Sequence, residues 1–245
     1  MQQWDGTNWT EVGDVNTARR QSKGSGTTTA GIIAGGFAPA SPGVVDSVET
    51  WNGSAWTETT EINTARTAAG SSIASPSTDM VFFAGQSPSV SAQSTTEIWN
   101  GSSWTETGNL PQATQDIGGW GTSTDAISGA GYGPSSNVAV AAIWDGSTWT
   151  EIAEMSTARN GVNTGGIGAN STAGLLAGGD ASGRKDLTEE WSAPSTFSQI
   201  NKGQVYFNSS STNAFKVTQQ LLSSGTWASG ATGNTARGHA SPFGA

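Results

Sequence analysis

A pair of tryptophans, five residues apart, recurs along the chain inside the same short word. The word Trp4-Asp5-Gly6-Thr7-Asn8-Trp9-Thr10-Glu11 returns at 51–58, at 99–106 and at 144–151, so that successive first tryptophans are 47, 48 and 45 residues apart. A degenerate copy follows at Trp191, with Phe197 near the place of the second tryptophan. A period of this length predicts a repeat fold in which neighbouring units bury each other's faces.

Two further words keep the same phase. Asn16-Thr17-Ala18-Arg19 recurs at 63–66, 156–159 and 234–237, whereas the third copy, Pro111-Gln112-Ala113-Thr114, lacks the arginine. Short apolar segments ending in glycine lie at 32–36, 82–85 and 175–179. Trp-Asn-Gly and Trp-Asp-Gly between β-forming residues indicate tight hairpins, because Asn-Gly and Asp-Gly tolerate positive φ. Each repeat is therefore predicted to hold four short antiparallel strands, which is one blade of a β-propeller.

The predicted fold class is all-β, a single β-propeller domain over residues 1–245 with five four-stranded blades, six being the alternative. Full repeats are expected at 17–62, 64–110, 111–155 and 157–200. A composite closing blade is expected from residues 2–15 and 201–245, so that N- and C-terminal strands pair and leave no open sheet edge. Residues 201–245 exceed what closure needs, and they are also candidates for a sixth blade or a docking element.

Composition excludes several classes of function. Charged residues make up 12% of the chain, which has no Cys, one His and a formal net charge of −9. Cys-ligated zinc and iron–sulfur sites are impossible, and one His cannot build a His-rich metal centre. The acidic balance disfavours nucleic acid and anionic membranes as partners. No apolar run is long enough for a transmembrane helix, and the N-terminus shows no secretory signal.

The order of these words resembles the kelch repeat: Arg at the strand start, glycines after the second strand and Trp on the fourth. The particular sequence of the repeat, Trp-(Asp/Asn)-Gly-x-x-Trp-Thr-Glu followed by Asn-Thr-Ala-Arg, is similar to kelch-like repeats in virion proteins of marine bacteriophages. The segments 203–208 (GQVYFN) and 213–217 (NAFKV) are similar to hairpins of phage tail and tail-fibre proteins. The resemblance implies a virion component made in the host cytoplasm without a signal peptide. Its implied partners are other virion subunits, in a homo- or hetero-oligomer, and a host-surface glycan.

Most residues of the repeat words are expected to be structural. A tryptophan placed identically in every blade is explained by packing between blades. The arginines Arg19, Arg66, Arg159 and Arg237 are expected to pair with a Glu or a carbonyl of a neighbouring hairpin, Glu11 or Glu58 for example. Residues that break the repeat are the better candidates for binding: Trp120 and Tyr132 in the third blade, and Arg184 and Lys185 in the fourth.

No catalytic, cofactor-binding or metal-ligating residue is predicted. The copper site of galactose-oxidase-like propellers needs a Tyr–Cys crosslink and histidines, and a catalytic triad here would depend entirely on His239. The expected function is a non-enzymatic propeller of a phage particle, in the tail or tail fibre, for assembly or host-surface attachment. The alternatives are a lectin-like propeller that binds glycans between blades, and a hydrolase with a site in the third blade.

Overall fold

The computed structural model of the chain describes residues 1–39, 43–89, 91–162 and 166–193, together with strands at 205–208, 214–217 and 226–229. No helix occurs among these residues, and their strands form four four-stranded antiparallel sheets in a propeller-like arrangement. The predictions of an all-β chain and of a propeller architecture are thereby confirmed. None of the described residues forms a helix long and apolar enough to cross a membrane.

The four sheets follow one another along the chain, and within each sheet the strands pair in chain order. The first sheet contains β3 (Lys23–Gly26), β4 (Gly31–Ala34), β7 (Val48–Trp51) and β8 (Trp56–Thr59). The second contains β9 (Gly70–Ser71), β10 (Met80–Phe83), β11 (Thr96–Trp99) and β12 (Trp104–Thr107). The third contains β13 (Gly118–Thr122), β14 (Asp125–Gly129), β15 (Ala141–Trp144) and β16 (Trp149–Glu151). The fourth contains β17 (Gly166–Asn170), β18 (Ala173–Ala177), β19 (Thr188–Ser192) and β22 (Thr226–Ser229).

Three two-stranded hairpins lie outside these sheets. They are β1 (Gln2–Trp4) with β2 (Trp9–Glu11), β5 (Phe37–Ala38) with β6 (Gly43–Val44), and β20 (Val205–Asn208) with β21 (Ala214–Val217). The first strands of successive sheets, β3, β9, β13 and β17, contact one another in that order. The first strands therefore line the inside of the arrangement.

The tryptophan word folds as the tight hairpin that its sequence predicts. Trp51 lies opposite Trp56 in the ladder, and the Asn52 Oδ1 atom accepts hydrogen bonds from the backbone N–H groups of Ser54 and Ala55, both at 2.9 Å. Gly53 adopts φ +93°, a conformation that is nearly free of strain only for glycine. The copies at Trp99 and Trp144 have the same register.

The tryptophan pairs pack against the preceding sheet. Trp99 and Trp104 join Ile32, Ala34 and Val48 of the first sheet in one buried cluster. Trp144 and Trp149 join Val81 and Phe83 of the second sheet in another, and Trp191 joins Trp120 and Ile127 in a third. The Trp104 indole N–H donates to the carbonyl of Thr60, 3.1 Å away in the linker before its own sheet. The packing role predicted for these tryptophans is confirmed.

The fourth sheet takes its last strand from far along the chain. β22 pairs with β19, with Trp227 opposite Trp191 at the register where every other sheet places its second tryptophan. The prediction that Phe197 occupies this place does not match that pairing, and Phe197 itself lies outside the described residues. The physical reason is that strand pairing requires a matching ladder and not a fixed connection length, so a long segment with its own β20–β21 hairpin separates the two strands.

The number of complete sheets differs from the prediction. The described residues form four four-stranded sheets, whereas five blades were expected, with six as the alternative. Residues 2–15 contribute the single hairpin β1–β2, which keeps the register of the third and fourth strands of a blade. The expected closing segment, Asn234–Arg237, lies outside the described residues, so closure of the ring stays a prediction.

Candidate functional site

Because neighbouring strands in each sheet are antiparallel, successive connections lie alternately at one end of the molecule and at the other. One end carries the short turns after each first strand and the tryptophan hairpins between the third and fourth strands. The other end carries the connections between second and third strands, at 37–45, 86–93, 132–138 and 180–185. We call these four connections the loop face. Loops on a rigid scaffold are where binding residues concentrate.

Each connection of the loop face begins at the same backbone bridge. Two residues form this bridge in every sheet. One follows the last residue of the Asn-Thr-Ala-Arg word (the arginine position, which is Thr114 in the third sheet), and the other follows the two positive-φ residues after the second strand (the glycine corner). The two residues exchange two backbone hydrogen bonds of 2.7–3.0 Å. The four bridged pairs are Arg20–Phe37, Thr67–Gln86, Gln115–Tyr132 and Asn160–Asp180. Each connection is closed further on by an N–H group that donates to the carbonyl of the corner glycine at 2.8–3.0 Å, from Val45, Gln93, Val138 and Lys185.

The backbone conformation around these bridges repeats as well. The residue two positions after the arginine position has φ between +51° and +69° in all four sheets: Gln21, Ala68, Asp116 and Gly161. The glycine corner consists of two residues with positive φ, and its second member is always glycine: Gly36, Gly85, Gly131 and Gly179. The third sheet thus has a corner, Ala130-Gly131, that was not predicted from the sequence because Ser128 and Gly129 interrupt the apolar segment that precedes the corner in the other sheets.

The same corners join neighbouring sheets. The N–H groups of Gly36, Gly85 and Gly131 donate to the carbonyls of Arg66, Thr114 and Arg159, each in the next sheet, at 2.7–2.8 Å. A Cβ atom at Gly36 would lie 2.9 Å from the carbonyl oxygen of Arg20. The corner glycines therefore fix the loop face both within a sheet and between sheets.

Buried ion pairs anchor the start of three sheets. Arg19 lies 3.0 Å from Glu49, Arg66 lies 2.5 Å from Glu97, and Arg159 pairs with Glu189, with every one of these side chains nearly inaccessible. The second oxygen of each glutamate accepts the backbone N–H of Asn16, Asn63 or Ser156 at 2.7–2.8 Å. Burial lowers the pKa of Arg19 and of Arg66, an effect that the paired glutamates oppose.

The predicted partner type is correct, but the examples given for the partner are not the ion-paired residues. The glutamate in each ion pair comes from the third strand of the same sheet; Glu58, opposite Glu49 in the ladder, adds only a smaller electrostatic contribution at Arg19. The reason is geometric, because each arginine side chain packs against its own sheet. There Arg66 also donates to the carbonyl of Ala84, and Arg159 donates to the carbonyl of Leu176. Arg237 lies outside the described residues. The third sheet has Thr114 at the arginine position and Ala142 at the glutamate position, both buried.

The side chains of the bridged pairs differ from sheet to sheet although their backbone does not. Arg20 places its guanidinium 4.6 Å from the centre of the Phe37 ring, whereas Thr67 and Gln86 are uncharged. The third sheet offers Gln115 and Tyr132, and the fourth Asn160 and Asp180. The connections also differ in length, since 8, 7, 6 and 5 positions separate the bridge residue from the closing residue. Such variation on a constant frame indicates positions that the fold does not dictate.

A polar seam joins the connections of the third and fourth sheets. The Asn137 Nδ2 atom donates to the carbonyl of Asp180 at 2.9 Å, and the Asn137 Oδ1 atom accepts from the Asn160 Nδ2 atom at 2.7 Å. The Asp180 Oδ1 atom accepts from the backbone N–H of Gly183 at 3.0 Å, and the Tyr132 hydroxyl donates to the carbonyl of Ser135 at 3.2 Å. We call Tyr132, Asn137, Asn160, Asp180, Arg184 and Lys185 the seam residues.

The structure brings together three of the four predicted binding residues. Tyr132 lies in the third connection of the loop face, and Arg184 and Lys185 lie in the fourth, joined to the third through Asn137. Trp120 is elsewhere: its indole is fully buried against Gly168 and Gly174 of the fourth sheet and donates to the carbonyl of Asn170 at 3.0 Å. Its indole therefore offers no surface to a ligand. Asn137, Asn160 and Asp180 were not predicted from the sequence, although the last two directly follow repeated words.

One lysine is buried at the inner end of the loop face. Lys23 begins β3 and is 8% exposed. Burial lowers the pKa of Lys23 to about 7, and the carboxylate of Asp116 opposes that shift. This side chain is neutral in about half of the molecules near neutral pH, which is unusual for an amine.

The described residues contain no group of three or more His, Cys, Asp or Glu side chains that could hold a metal ion. What the third and fourth connections of the loop face offer is binding chemistry: an aromatic ring, amide and carboxylate oxygens, and two cations on a fixed backbone. Comparison of the chain with known protein-family models and with curated proteins finds no match. The assignment of a function therefore depends on the repeat words and on this geometry.

Proposed function

We propose that this chain is a non-enzymatic, kelch-like propeller of a bacteriophage particle, in the tail or tail fibre, and that its loop face contacts the host surface. The observation that carries this proposal is the constant backbone of the loop face beneath side chains that differ in every sheet. A scaffold that holds four different loops at one end suits recognition, whereas a purely structural subunit gains nothing from such variation. The resemblance of the repeat words to virion proteins of marine phages is the basis for placing the chain in a phage particle.

We also propose that the ring closes with a composite fifth blade. Support comes from two faces that lack a neighbour among the described residues. Trp4 is 46% and Trp9 63% exposed, whereas the equivalent tryptophans of the first three sheets are at most 9% exposed. Leu175, which alternates along β18 with the buried Leu176, is half-buried on the opposite face of the fourth sheet. A closed ring would pack these two faces together and would place Asn234–Arg237 beside the hairpin β1–β2.

The test of the virion assignment is quantitative mass spectrometry of purified particles. The proposal expects peptides of this chain at a fixed ratio to the major capsid protein, unchanged after a high-salt wash and a second density gradient. Soluble host proteins of similar abundance in the lysate serve as the control for carry-over. Loss of the peptides during the second gradient would overturn the assignment.

The non-enzymatic part has a separate test. A panel of glycosidase and esterase substrates with chromogenic leaving groups is incubated with the full chain and with a His239→Ala variant. The proposal expects no turnover above the buffer rate for either protein. Turnover that disappears in a variant of any loop-face residue would contradict it and would favour the hydrolase alternative.

A further inference from the structure

The seam contains two side-chain oxygen atoms that are available as hydrogen-bond acceptors. Within the described part of the chain, the Asn160 Oδ1 atom and the Asp180 Oδ2 atom accept no hydrogen bond, while the partner atoms of both side chains are held by Asn137 and Gly183. Both side chains are half-buried, so that their orientation is fixed and their free oxygens remain reachable. Two fixed acceptors suit a ligand that carries several hydroxyl groups.

The seam also contains the free cations of the loop face. Arg19, Arg66 and Arg159 are buried in ion pairs, Lys23 is buried, and Arg20 stacks on Phe37. Arg184 is exposed and Lys185 half-buried, and neither has an acidic partner among the described residues. Asp180 and Asp186 lie within four residues of this pair and offset its charge, so a bound anion would be held here by direct contact with Arg184 and Lys185 and not by a net positive field. An arginine binds carboxylates with paired hydrogen bonds.

Tyr132 supplies the third element. The backbone of Tyr132 is bridged to both Gln115 and Asn137, and its hydroxyl is engaged by Ser135, so that the half-buried ring is held in place. A fixed aromatic ring offers an apolar surface next to polar atoms at little cost in side-chain entropy. Nucleic acid would need a more extended basic surface than two cations.

We propose that the seam binds an acidic saccharide, with Tyr132 against a sugar ring, Asn160 and Asp180 accepting from hydroxyls, and Arg184 with Lys185 holding a carboxylate. This inference rests on the proposed function, because it names the surface chemistry that the loop face recognises. It differs from a lectin with equivalent pockets between all blades, since it assigns one site per chain.

The test is calorimetric titration of the full chain with a galacturonate tetramer and with the neutral galactose tetramer of the same linkage. We expect one site per chain and at least tenfold tighter binding of the acidic tetramer. Arg184→Ala weakens that binding at least tenfold, and Asn160→Ala weakens both tetramers. The matched control is Arg20→Ala, which removes the exposed arginine that is bridged to Phe37 at the start of the first connection and leaves the affinity unchanged.

Several results would overturn the inference: no binding of either tetramer, equal affinity for both, or an equal loss in Arg20→Ala and Arg184→Ala. Thermal unfolding of each variant shows whether its fold is intact, and Tyr132→Phe provides a second, conservative change: it removes the hydroxyl bond to Ser135 but keeps the ring and its backbone bridges, and it should therefore retain most of the binding. A chain that binds galacturonate but is absent from particles contradicts the virion assignment alone. A chain found in particles that fails to bind contradicts the saccharide site alone.

Discussion

The buried arginine and glutamate of each repeat behave as a unit. Three sheets have both residues, and the third sheet has neither, since Thr114 and Ala142 replace them together. Removing one partner of a buried ion pair leaves an uncompensated charge and costs about 3–5 kcal/mol, whereas replacing both is often neutral. Because losing one partner costs much more than replacing both, the loss of the arginine and of the glutamate is expected to occur together, as it does in the third sheet.

The pair should therefore be transferable. Thr114→Arg alone and Ala142→Glu alone each place an unpaired charge in the core, and each should lower the free energy of unfolding by about 3 kcal/mol. The double variant should recover more than half of the summed loss, because the two charges compensate each other. Urea unfolding of the four proteins gives the coupling free energy. A double variant no more stable than the sum of the single losses would show that the third sheet has no room for the pair.

Lys23 predicts an unusual dependence of stability on pH. Its pKa of about 7 in the folded chain lies below the 10.5 expected for an exposed lysine, so the unfolded chain binds more protons between these two values. Stability from this group therefore rises as pH increases from 7 to 10.5, by on the order of 4 kcal/mol. Below pH 7 the full penalty of burying the charged amine applies.

The variant Lys23→Met tests this effect, because it keeps the length of the side chain and removes the charge. Unfolding in urea at pH 7 and at pH 9.5 should show the wild-type chain gaining stability relative to the variant as pH rises. Lys185→Met, at a half-buried surface position, is the control and should leave the pH dependence unchanged. A difference between wild type and Lys23→Met that is the same at both pH values would refute the prediction.

At the scale of a single element, the glycine corner is the least replaceable part of the repeat. Gly36 has φ +116°, and an added Cβ atom would lie 2.9 Å from the backbone oxygen of Arg20. Gly6 has φ +98° but has no atom within 4 Å of the same position. The two glycines therefore share a positive φ and differ in the space around them.

Gly36→Ala should consequently destabilise the chain more than Gly6→Ala does. The strained φ alone costs about 1 kcal/mol, and the backbone clash at Gly36 adds at least as much again because the carbonyl of Arg20 is held in the bridge to Phe37. Thermal and urea unfolding of both variants measure the difference. Equal losses would mean that the corner can shift without cost.

Elements with local signals were predictable from sequence, and those assembled across the chain were not. The tryptophan hairpins follow from Asn-Gly and Asp-Gly, and the packing of the indoles follows from their period. The corner Ala130-Gly131 was missed because Ser128 and Gly129 stand before it in place of the apolar residues that precede the corners of the other sheets. The seam was missed because Asn137 meets Asn160 and Asp180 only after two sheets have packed side by side.

For the molecule as a whole, the exposed pair Trp4 and Trp9 provides a test of ring closure. If the hairpin β1–β2 packs against the fourth sheet, Trp9→Ala should cost about 3–5 kcal/mol, as expected for the buried Trp104. If the ring is open, Trp9→Ala should change the free energy of unfolding by less than about 1 kcal/mol. Urea unfolding of Trp9→Ala beside Trp104→Ala separates these outcomes, and the proposed composite blade requires the first.

The wide separation of β19 and β22 has a consequence for engineering. Thirty-five residues separate Trp191 from Trp227, against four between Trp51 and Trp56, yet the paired strands keep the same register. By loop-closure entropy alone, closing a connection of 35 residues in place of one of four costs only about 2 kcal/mol more. The tryptophan hairpins of the other sheets are therefore natural insertion points for a reporter or a foreign domain. They lie at the end opposite the loop face, so that cargo and recognition would occupy separate poles of one scaffold.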